Sequence, residues 1–249
     1  MTLVCLPGGP GLPPSYLGDL GGLSDLVMFE PRPGRVEDLV DDVEALRERL
    51  GLDQFDLLGH SAGGSLACLY AARFPDRLRR LVLIAPSVSG VGLDFVGAPE
   101  ALDARAGEPW YPDARAAINT LLAGDFEPGE RLALRARSAP FAYGRWDAAA
   151  QAHFAAEPKR DEEAAASYYA DFAPDFAAIR AGLQAVTAPV LVLVGGLDPA
   201  PSPAAGRNLA DLFPNAEFVV QPGASHSPWV DDASAFVSTV SGFLTRSTT

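Results

Sequence analysis

The sequence predicts an α/β protein with a doubly wound, mostly parallel sheet and a helical lid inserted into it. Short apolar runs alternate with helical patterns along most of the 249 residues, and these runs are apolar at both odd and even positions. Strands of that kind are buried on both faces and need helices on both sides of the sheet. One long central segment breaks the alternation. We therefore predict a core formed by residues 1–91 and 183–249, with the lid over residues 92–182.

Six apolar runs, each bounded by Gly, Pro or Asp, are the predicted strands of this core. In chain order they cover residues 2–6, 26–29, 55–58, 81–84, 190–194 and 217–220. Helices are predicted between and after them, over residues 36–50, 62–74, 202–213 and 231–244. The central segment is rich in alanine, charged and aromatic residues, which indicates helices. An insertion of this kind normally covers the functional site.

The composition limits the classes of partner. A net charge of −13 leaves no basic stripe to neutralise phosphates, so neither nucleic acid nor an anionic membrane is an expected partner. Cys5 and Cys68 lie in apolar sequence where reduced thiols pack, and no disulfide framework is expected. The start of the chain lacks the features of a secretion signal, and no stretch is long enough for a membrane span. A cytoplasmic protein is the expectation.

A pentapeptide at the end of the third predicted strand carries a candidate nucleophile. It reads Gly59-His60-Ser61-Ala62-Gly63 and opens the second predicted helix. In such a strand-turn-helix elbow the serine adopts a strained conformation that requires small residues two positions before and after it. The helix N-terminus then lies under the reacting centre, where it stabilises negative charge. A glycine- and serine-rich loop that only caps the helix is the alternative.

Three histidines are candidates for the base that would activate Ser61. His60 is inside the turn, with a side chain expected to point away from the Ser61 hydroxyl, and His153 lies within the predicted lid. His226 lies in a loop after the last predicted strand, at the edge where ligands bind in open α/β sheets. We therefore predict that His226 is the general base. The alternative is that His226 is a loop histidine that only forms hydrogen bonds to the backbone.

The acid that orients the base is expected at a strand end as well. Asp198 follows the fifth predicted strand, and nearby prolines stiffen its loop. Asp231 and Asp232 compete for the role, but their position at the start of a predicted helix has an ordinary capping explanation. Asp198 is therefore the predicted acid.

Glycines after the first predicted strand supply candidate donors to an oxyanion. The segment Pro7–Gly11 reads PGGPG, and its glycines let backbone N–H groups approach a tetrahedral oxyanion. Gly9 and Ala62 are the predicted donors, and a glycine-proline turn without a ligand is the alternative. Together these residues predict transfer of an acyl group to a serine and then to water, for which we expect neither a metal nor an organic cofactor.

At these motifs the sequence resembles the proline iminopeptidases of the α/β-hydrolase superfamily. The resemblance rests on PGGPG, GHSAGG, VLVGGLDPAPSP and VVQPGASHSPWVDD, so it spans nearly the whole chain apart from the lid. It implies an α/β-hydrolase fold, whose chain order is Ser, Asp, His. It also implies a triad of Ser61, Asp198 and His226, oxyanion donors at Gly9 and Ala62, and lid acids that receive the free amine of an N-terminal residue.

Four departures from that family are visible. Pro7 replaces the histidine of HGGPG, which removes a side chain that fixes the loop, and Ala62 stands where the peptidases often have tryptophan. Residues 30–35 are an eroded form of the family's Gly/Arg-rich loop. The chain begins on what would be the third strand, so the usual antiparallel edge strands are expected to be absent. An exposed sheet edge needs cover, and three explanations are open. The edge is covered in a homodimer, it is covered by the lid, or the start codon is misassigned.

The lid supplies acids that are candidates for substrate binding. The candidates are Glu157, Asp161, Glu162, Glu163, Asp171 and Asp175. Our specific prediction is that Glu162 and Glu163 bind a substrate ammonium, and the solvated faces of surface helices are the alternative.

The expected function is that of a serine hydrolase that forms an acyl-enzyme, of the aminopeptidase or amide hydrolase type. An esterase or thioesterase acting on a small metabolite would use the same machinery with a different pocket. A non-catalytic ligand-binding protein on the same scaffold is the rival from another class. The expected partner is a small molecule or a short peptide.

Overall fold

The computed structural model describes residues 2–246, and of Pro128 only the backbone. Within this range six parallel strands form one sheet in the order β2-β1-β3-β4-β5-β6. The strands are Leu3–Leu6 (β1), Leu26–Met28 (β2), Phe55–His60 (β3), Leu78–Ile84 (β4), Val190–Gly195 (β5) and Ala216–Gln221 (β6). The predicted α/β class is confirmed, and each of the six predicted strands is present, with β4 beginning earlier than expected.

The described residues contain eleven α-helices around this sheet. They are Val36–Arg49 (α1), Ala62–Arg73 (α2), Ala98–Asp103 (α3), Tyr111–Ala123 (α4), Arg131–Ser138 (α5), Ala148–Ala155 (α6), Glu162–Ser167 (α7), Phe176–Gln184 (α8), Pro203–Ala210 (α9), Pro228–Asp231 (α10) and Ala233–Thr245 (α11). Helices α3–α8 all lie between β4 and β5, where the described chain forms no strand. None of the helices in residues 2–246 has the length and apolar character needed to cross a lipid bilayer.

Two helices show how the sequence pattern becomes local structure. In α1 the buried residues recur at helical spacing, and the helix ends before Gly51, whose φ of 66° suits a residue without a side chain. In α2 nearly every residue is buried, and the helix stops at Phe74 before Pro75. Helix α8, which begins within the predicted insertion and ends two residues beyond it, packs on α2 so closely that a Cβ at Gly182 would lie 2.5 Å from the carbonyl oxygen of Ala72.

The last predicted helix, over residues 231–244, is divided in the structure. Helix α10 ends at Asp231, and α11 begins at Ala233. Asp232 separates them because its backbone is extended, with φ of −152°, and its side chain accepts a hydrogen bond from the N–H of Ala235 at 3.0 Å. An aspartate that caps a helix must stand outside it, so the capping residue itself creates the break.

The sheet is covered on both faces, as its continuous apolar runs predict. Strands β1, β3 and β5 are buried along their whole length. Leu57 packs in the cluster that includes α1, α2 and α9, whereas its neighbour Leu58 packs in the opposite cluster with Phe236 of α11. Successive strand residues point to opposite faces, so burial of both faces requires apolar residues at every position.

Strand β3 also carries a buried charge. The side chain of Asp56 has no exposed surface, and its two oxygens accept hydrogen bonds from Nε and Nη2 of Arg79 at 2.8 and 2.5 Å. Nη1 of Arg80, on the same neighbouring strand, lies 3.5 Å from Oδ1 of Asp56. A carboxylate is tolerated at this depth because two guanidinium groups neutralise it.

The strand order places a crevice where a site is expected. The chain crosses to opposite sides of β1 when it forms β2 and β3, so the order reverses beside β1. In open α/β sheets ligands bind at such a point, beyond the carboxyl ends of the strands. The loops after β1, β3, β5 and β6 all leave the sheet at this edge, because the strands are parallel.

Candidate active site

Ser61 stands between β3 and α2 in a strained conformation. Its φ is 52° and its ψ is −120°, a region that residues with side chains rarely adopt. A Cβ at Gly59 would lie 2.5 Å from the carbonyl oxygen of Gly63, and one at Gly63 would lie 2.3 Å from that of Leu6. Both positions therefore exclude a side chain, which explains the glycines two residues before and after Ser61.

Ser61, His226 and Asp198 form one chain of hydrogen bonds. Ser61 Oγ lies 3.0 Å from Nε2 of His226, and Nδ1 of His226 lies 2.8 Å from Oδ2 of Asp198. Asp198 follows β5 and is 1% exposed, and its Oδ1 accepts the N–H of Ala200 at 2.8 Å. A carboxylate only accepts, so Nδ1 of His226 carries the proton and Nε2 accepts from the Ser61 hydroxyl. This arrangement can pass a proton from Ser61 to His226.

The surroundings of His226 act on its pKa in opposite directions. Burial lowers the pKa because it disfavours the charged imidazolium, whereas the negative charge of Asp198 and its hydrogen bond raise it. The two contributions of Asp198 together outweigh burial, so the pKa lies above the ordinary value of 6.5. His226 therefore becomes protonated at a higher pH than an isolated histidine would.

A second hydrogen-bonded chain connects the first loop to the backbone of His226 through His60. Nε2 of His60 lies 3.0 Å from the carbonyl oxygen of His226, and Nδ1 lies 2.7 Å from the hydroxyl of Tyr16, which accepts the N–H of Gly8 at 2.7 Å. Because a carbonyl only accepts, Nε2 carries the proton and the Tyr16 O–H donates to Nδ1. Burial and then the nearby His226 lower the pKa of His60 to about 3, so this ring is neutral.

Asp231 joins the loop of His226 to the lid. Its Oδ1 accepts the N–H of Gly144 and its Oδ2 accepts the N–H of Ser225, each at 2.8 Å. Burial raises the pKa of Asp231, and these two backbone donors lower it. Asp232 caps α11, as described above. Both rival acids are thus engaged with backbone groups, and in the described chain the carboxylate that His226 bonds is that of Asp198.

The loop after β1 lies against the Ser61 turn. A Cβ at Gly8 would lie 2.5 Å from Cβ of Ser61, so only a glycine permits this approach. Gly9, with φ of 53°, and Ala62 line the same cavity as Ser61. Ala62 is the first residue of α2, where an N–H has no acceptor within the helix. Within residues 2–246 neither the Gly9 nor the Ala62 N–H has a protein acceptor, so both donors are available.

A cavity of about 510 Å³ contains the Ser61 hydroxyl. Its core side is lined by the three hydrogen-bonded residues and by both predicted oxyanion residues. The lid side is lined by apolar and charged side chains, among them Phe95, Arg135, Phe141, Phe154, Glu157 and Arg160. Cavities of roughly 300–1,000 Å³ are typical of sites for small molecules.

The structure does not bring Glu162 and Glu163 to this cavity. Both are exposed in the first turn of α7, where Asp161 caps the helix by accepting the N–H of Glu163. Acids are favoured in that turn by the helix dipole alone. Of the six lid acids considered from the sequence, Glu157 is the one that lines the cavity. Burial raises its pKa, and the charge of Arg135 opposes that shift.

Three further residues of the site carry no signal in the sequence. Tyr16 lies in a short 3-10 turn after the glycine loop, and no spacing relates it to His60. Arg135 and Arg160 come from separate parts of the lid, whose path over the sheet follows no motif. Only the tertiary structure brings these side chains to the cavity of Ser61.

Comparison with known proteins adds to this geometry. Residues 28–233 match the family described as alpha/beta hydrolase fold. N-formylmaleamate deformylase of Pseudomonas putida is 31% identical over 211 residues, which are 82% of this chain and 68% of that protein. The 2-(acetamidomethylene)succinate hydrolase of Mesorhizobium japonicum is 31% identical over 214 residues, again 82% of this chain and 68% of that protein.

A solved structure supports the same architecture. The proline iminopeptidase of Mycobacterium smegmatis is 25% identical, with a TM-score of 0.66, over 98% of this chain and 89% of that one. The similar proteins thus include a deformylase, a hydrolase and a peptidase. They agree on the fold and differ in substrate.

Proposed function

Since the chain belongs to the alpha/beta hydrolase fold family and is a hydrolase, we propose that Ser61, His226 and Asp198 are its catalytic triad and that it works through an acyl-enzyme. The hydrogen-bonded chain from Ser61 Oγ through His226 to the buried Asp198 carries this proposal. The strained backbone of Ser61 supports it, because strain at a single exposed nucleophile is typical of this elbow.

The proposed reaction has two steps. Nε2 of His226 takes the Ser61 proton while Oγ attacks the substrate carbonyl carbon, and the N–H groups of Gly9 and Ala62 donate to the developing oxyanion. His226 then gives that proton to the leaving group as its bond to the carbonyl carbon breaks. In the second step His226 takes a proton from water while the water oxygen attacks the acyl carbon. His226 then returns that proton to Ser61 Oγ as the Oγ–carbon bond breaks and the acid is released. Asp198 holds the proton on Nδ1 and stabilises the imidazolium.

We propose an amide of a small molecule as the substrate. The two relatives from Pseudomonas putida and Mesorhizobium japonicum are named for an N-formyl and an acetamido compound, in which an acyl group is bonded to nitrogen. The size of the cavity supports a substrate of that scale. An ester would pass through the same steps, so an esterase or thioesterase is an outcome of the substrate test.

An aminopeptidase of the proline iminopeptidase type is the second candidate. One specific observation favours it, since the carboxylate of Glu157 lines the cavity and could bind a free amine. The likeness to the Mycobacterium smegmatis enzyme is in line with it.

Labelling with a fluorophosphonate probe tests the nucleophile. Wild type should form an adduct on Ser61, located by peptide mass spectrometry, and Ser61→Ala should form none. Ser87→Ala is the matched control, because Ser87 also lines the cavity, and it should be labelled like wild type. A folded wild-type protein without an adduct, or equal labelling of Ser61→Ala, would favour the non-catalytic ligand-binding protein.

Three acyl compounds then separate the substrate classes. The compounds are an N-acetyl anilide, the matching acetate ester and prolyl anilide, and each is given to wild type and to Ser61→Ala. For the true substrate class, kcat of Ser61→Ala should be about a million-fold below that of wild type. Turnover of the N-acetyl anilide supports the amide hydrolase. Turnover of prolyl anilide that stops when its amine is acetylated would support the aminopeptidase instead.

A further inference from the structure

The lid brings two cations to the cavity of an acidic protein. Arg135 of α5 and Arg160, between α6 and α7, line the same cavity as Ser61, and Glu157 is the acid that accompanies them. The whole chain has a net charge of −13, so this is a local reversal of sign. We propose that Arg135 and Arg160 form a subsite for a carboxylate group of the substrate.

Neither guanidinium has a bonded partner in residues 2–246. No hydrogen bond or ion pair joins Arg135 or Arg160 to another group there, and Nε of Arg160 is a buried donor without an acceptor. The neighbours of Arg135 on α5 differ, because Arg131 stacks on an aromatic ring and Arg137 pairs with an aspartate at 2.7 Å. Both guanidinium groups line the cavity without a protein partner, so their N–H donors are available to a ligand with matching acceptors.

A carboxylate fits these donors in geometry and in charge. The planar guanidinium group presents paired N–H donors that match the two oxygens of a carboxylate. With Glu157 ionised, the charged lid side chains at the cavity sum to one positive charge. One carboxylate balances that charge, whereas a phosphate with two negative charges would leave one negative charge uncompensated.

The same charges disfavour an ammonium group at this position. The charge of Arg135 already acts on Glu157, where it opposes the rise in pKa caused by burial. An ammonium bound to Glu157 would therefore share the cavity with two positive charges, which repel it. The carboxylate subsite rests on the proposed function, since it uses the Ser61 cavity, and it narrows the substrate to an acyl compound with a negative end.

Binding to the Ser61→Ala protein tests the subsite without turnover. Succinyl, butyryl and β-alanyl 4-nitroanilide differ only at the end of the acyl chain, where they carry a carboxylate, a methyl and an ammonium group. N-butyryl-4-aminobenzoate places the carboxylate on the leaving-group side instead. By calorimetric titration, one of the two carboxylate compounds should have a Kd roughly 10- to 100-fold below that of butyryl 4-nitroanilide. The β-alanyl compound should bind more weakly than the butyryl compound.

Variants made in the same Ser61→Ala background assign the effect to the two arginines. Arg135→Gln and Arg160→Gln should each raise the Kd of the preferred carboxylate compound, and the double variant should bring it within about threefold of the butyryl compound. Arg131→Gln, on the exposed surface of the same helix, should keep the full preference.

Three outcomes would overturn the subsite. The first is equal binding of the charged and uncharged compounds, and the second is a carboxylate preference that survives in the double variant. The third is a preference for the β-alanyl compound that disappears in Glu157→Gln, which would identify an amine site. Failure of the proposed function has a separate readout. It would appear as the absence of a fluorophosphonate adduct on wild-type Ser61, independently of how tightly these compounds bind.

Discussion

Replacement of Asp198 by asparagine tests the orienting acid, because it removes the charge and keeps the shape. Oδ1 of Asp198 accepts the N–H of Ala200 and Oδ2 accepts Nδ1–H of His226, each at 2.8 Å. Asparagine has one oxygen and one NH₂ group. If its oxygen keeps the bond to Ala200, its NH₂ faces Nδ1 of His226, which must then lose its proton to accept. The proton moves to Nε2, and the ring can no longer accept from Ser61.

The magnitude follows from this change of tautomer. The opposite amide orientation would leave the N–H of Ala200 facing the NH₂ group without an acceptor, which costs about 1–3 kcal/mol. The unproductive orientation is therefore the stable one. Loss of the correct tautomer lowers kcat by about 10⁴-fold in a comparable triad, so we expect Asp198→Asn to lose about 10³- to 10⁴-fold in kcat, or roughly 4 to 5.5 kcal/mol.

The pH profile of kcat/KM is a second readout of the same variant. The base acts when it is neutral, so wild-type activity falls as the pH falls through the pKa of His226, which Asp198 holds above 6.5. In Asp198→Asn the charge is gone while burial still lowers the pKa. The acid limb should therefore move to lower pH.

The assay measures the rate of product release across the pH range. Its substrate is the acyl compound that the wild-type protein turns over in the comparison proposed above. Asp232→Asn is the matched control, because asparagine also caps a helix and Asp232 is exposed, so its kcat should stay within about twofold of wild type. An Asp198→Asn enzyme within tenfold of wild type, or one with an unmoved acid limb, would refute the assignment of Asp198.

Buried polar contacts lead to two more expected outcomes. Tyr16→Phe removes the hydroxyl that fixes the proton of His60, so kcat should fall about tenfold with little change in KM. Tyr70→Phe is the control, because it also loses a buried hydroxyl hydrogen bond. It should lower the melting temperature and leave kcat unchanged. Equal effects of the two substitutions on kcat would contradict a positioning role for Tyr16. Asp56→Ala should lower the free energy of unfolding in urea by about 3 kcal/mol because two arginines lose a buried partner. Asp41→Ala removes one partner of an exposed ion pair and should lower the free energy of unfolding by less than about 1 kcal/mol. Equal losses in Asp56→Ala and Asp41→Ala would refute the effect assigned to burial.

The parts of the site that lie next to strands could be predicted from the sequence. The turn around Ser61 is predictable because its glycines have a local steric cause, which the contacts of Gly59 and Gly63 show. Asp198 and His226 are predictable because each follows a predicted strand, and parallel strands end at one edge of a sheet. Adjacency of that kind follows from the strand direction and needs no knowledge of the lid.

Predictions for the lid were weaker for a physical reason. Glu162 and Glu163 satisfy a local rule, the preference for acids in the first turn of a helix, and that rule says nothing about a cavity. Glu157 reaches the cavity from an irregular segment after α6. The last helix differs less, since its predicted start at residue 231 lies two residues before α11, which begins after its cap Asp232.

The sequence by itself determined the parallel sheet, the strained serine turn and the strand ends from which the proposed base and acid extend, because each depends on local sterics or on burial of both sheet faces. Only the tertiary structure decided which charged side chains between β4 and β5 line the cavity and how Tyr16 and His60 link the first loop to the backbone of His226. Those contacts join segments far apart in the chain. Their partners are selected by how the first loop and the segment between β4 and β5 pack over the carboxyl edge of the sheet, which no local pattern encodes.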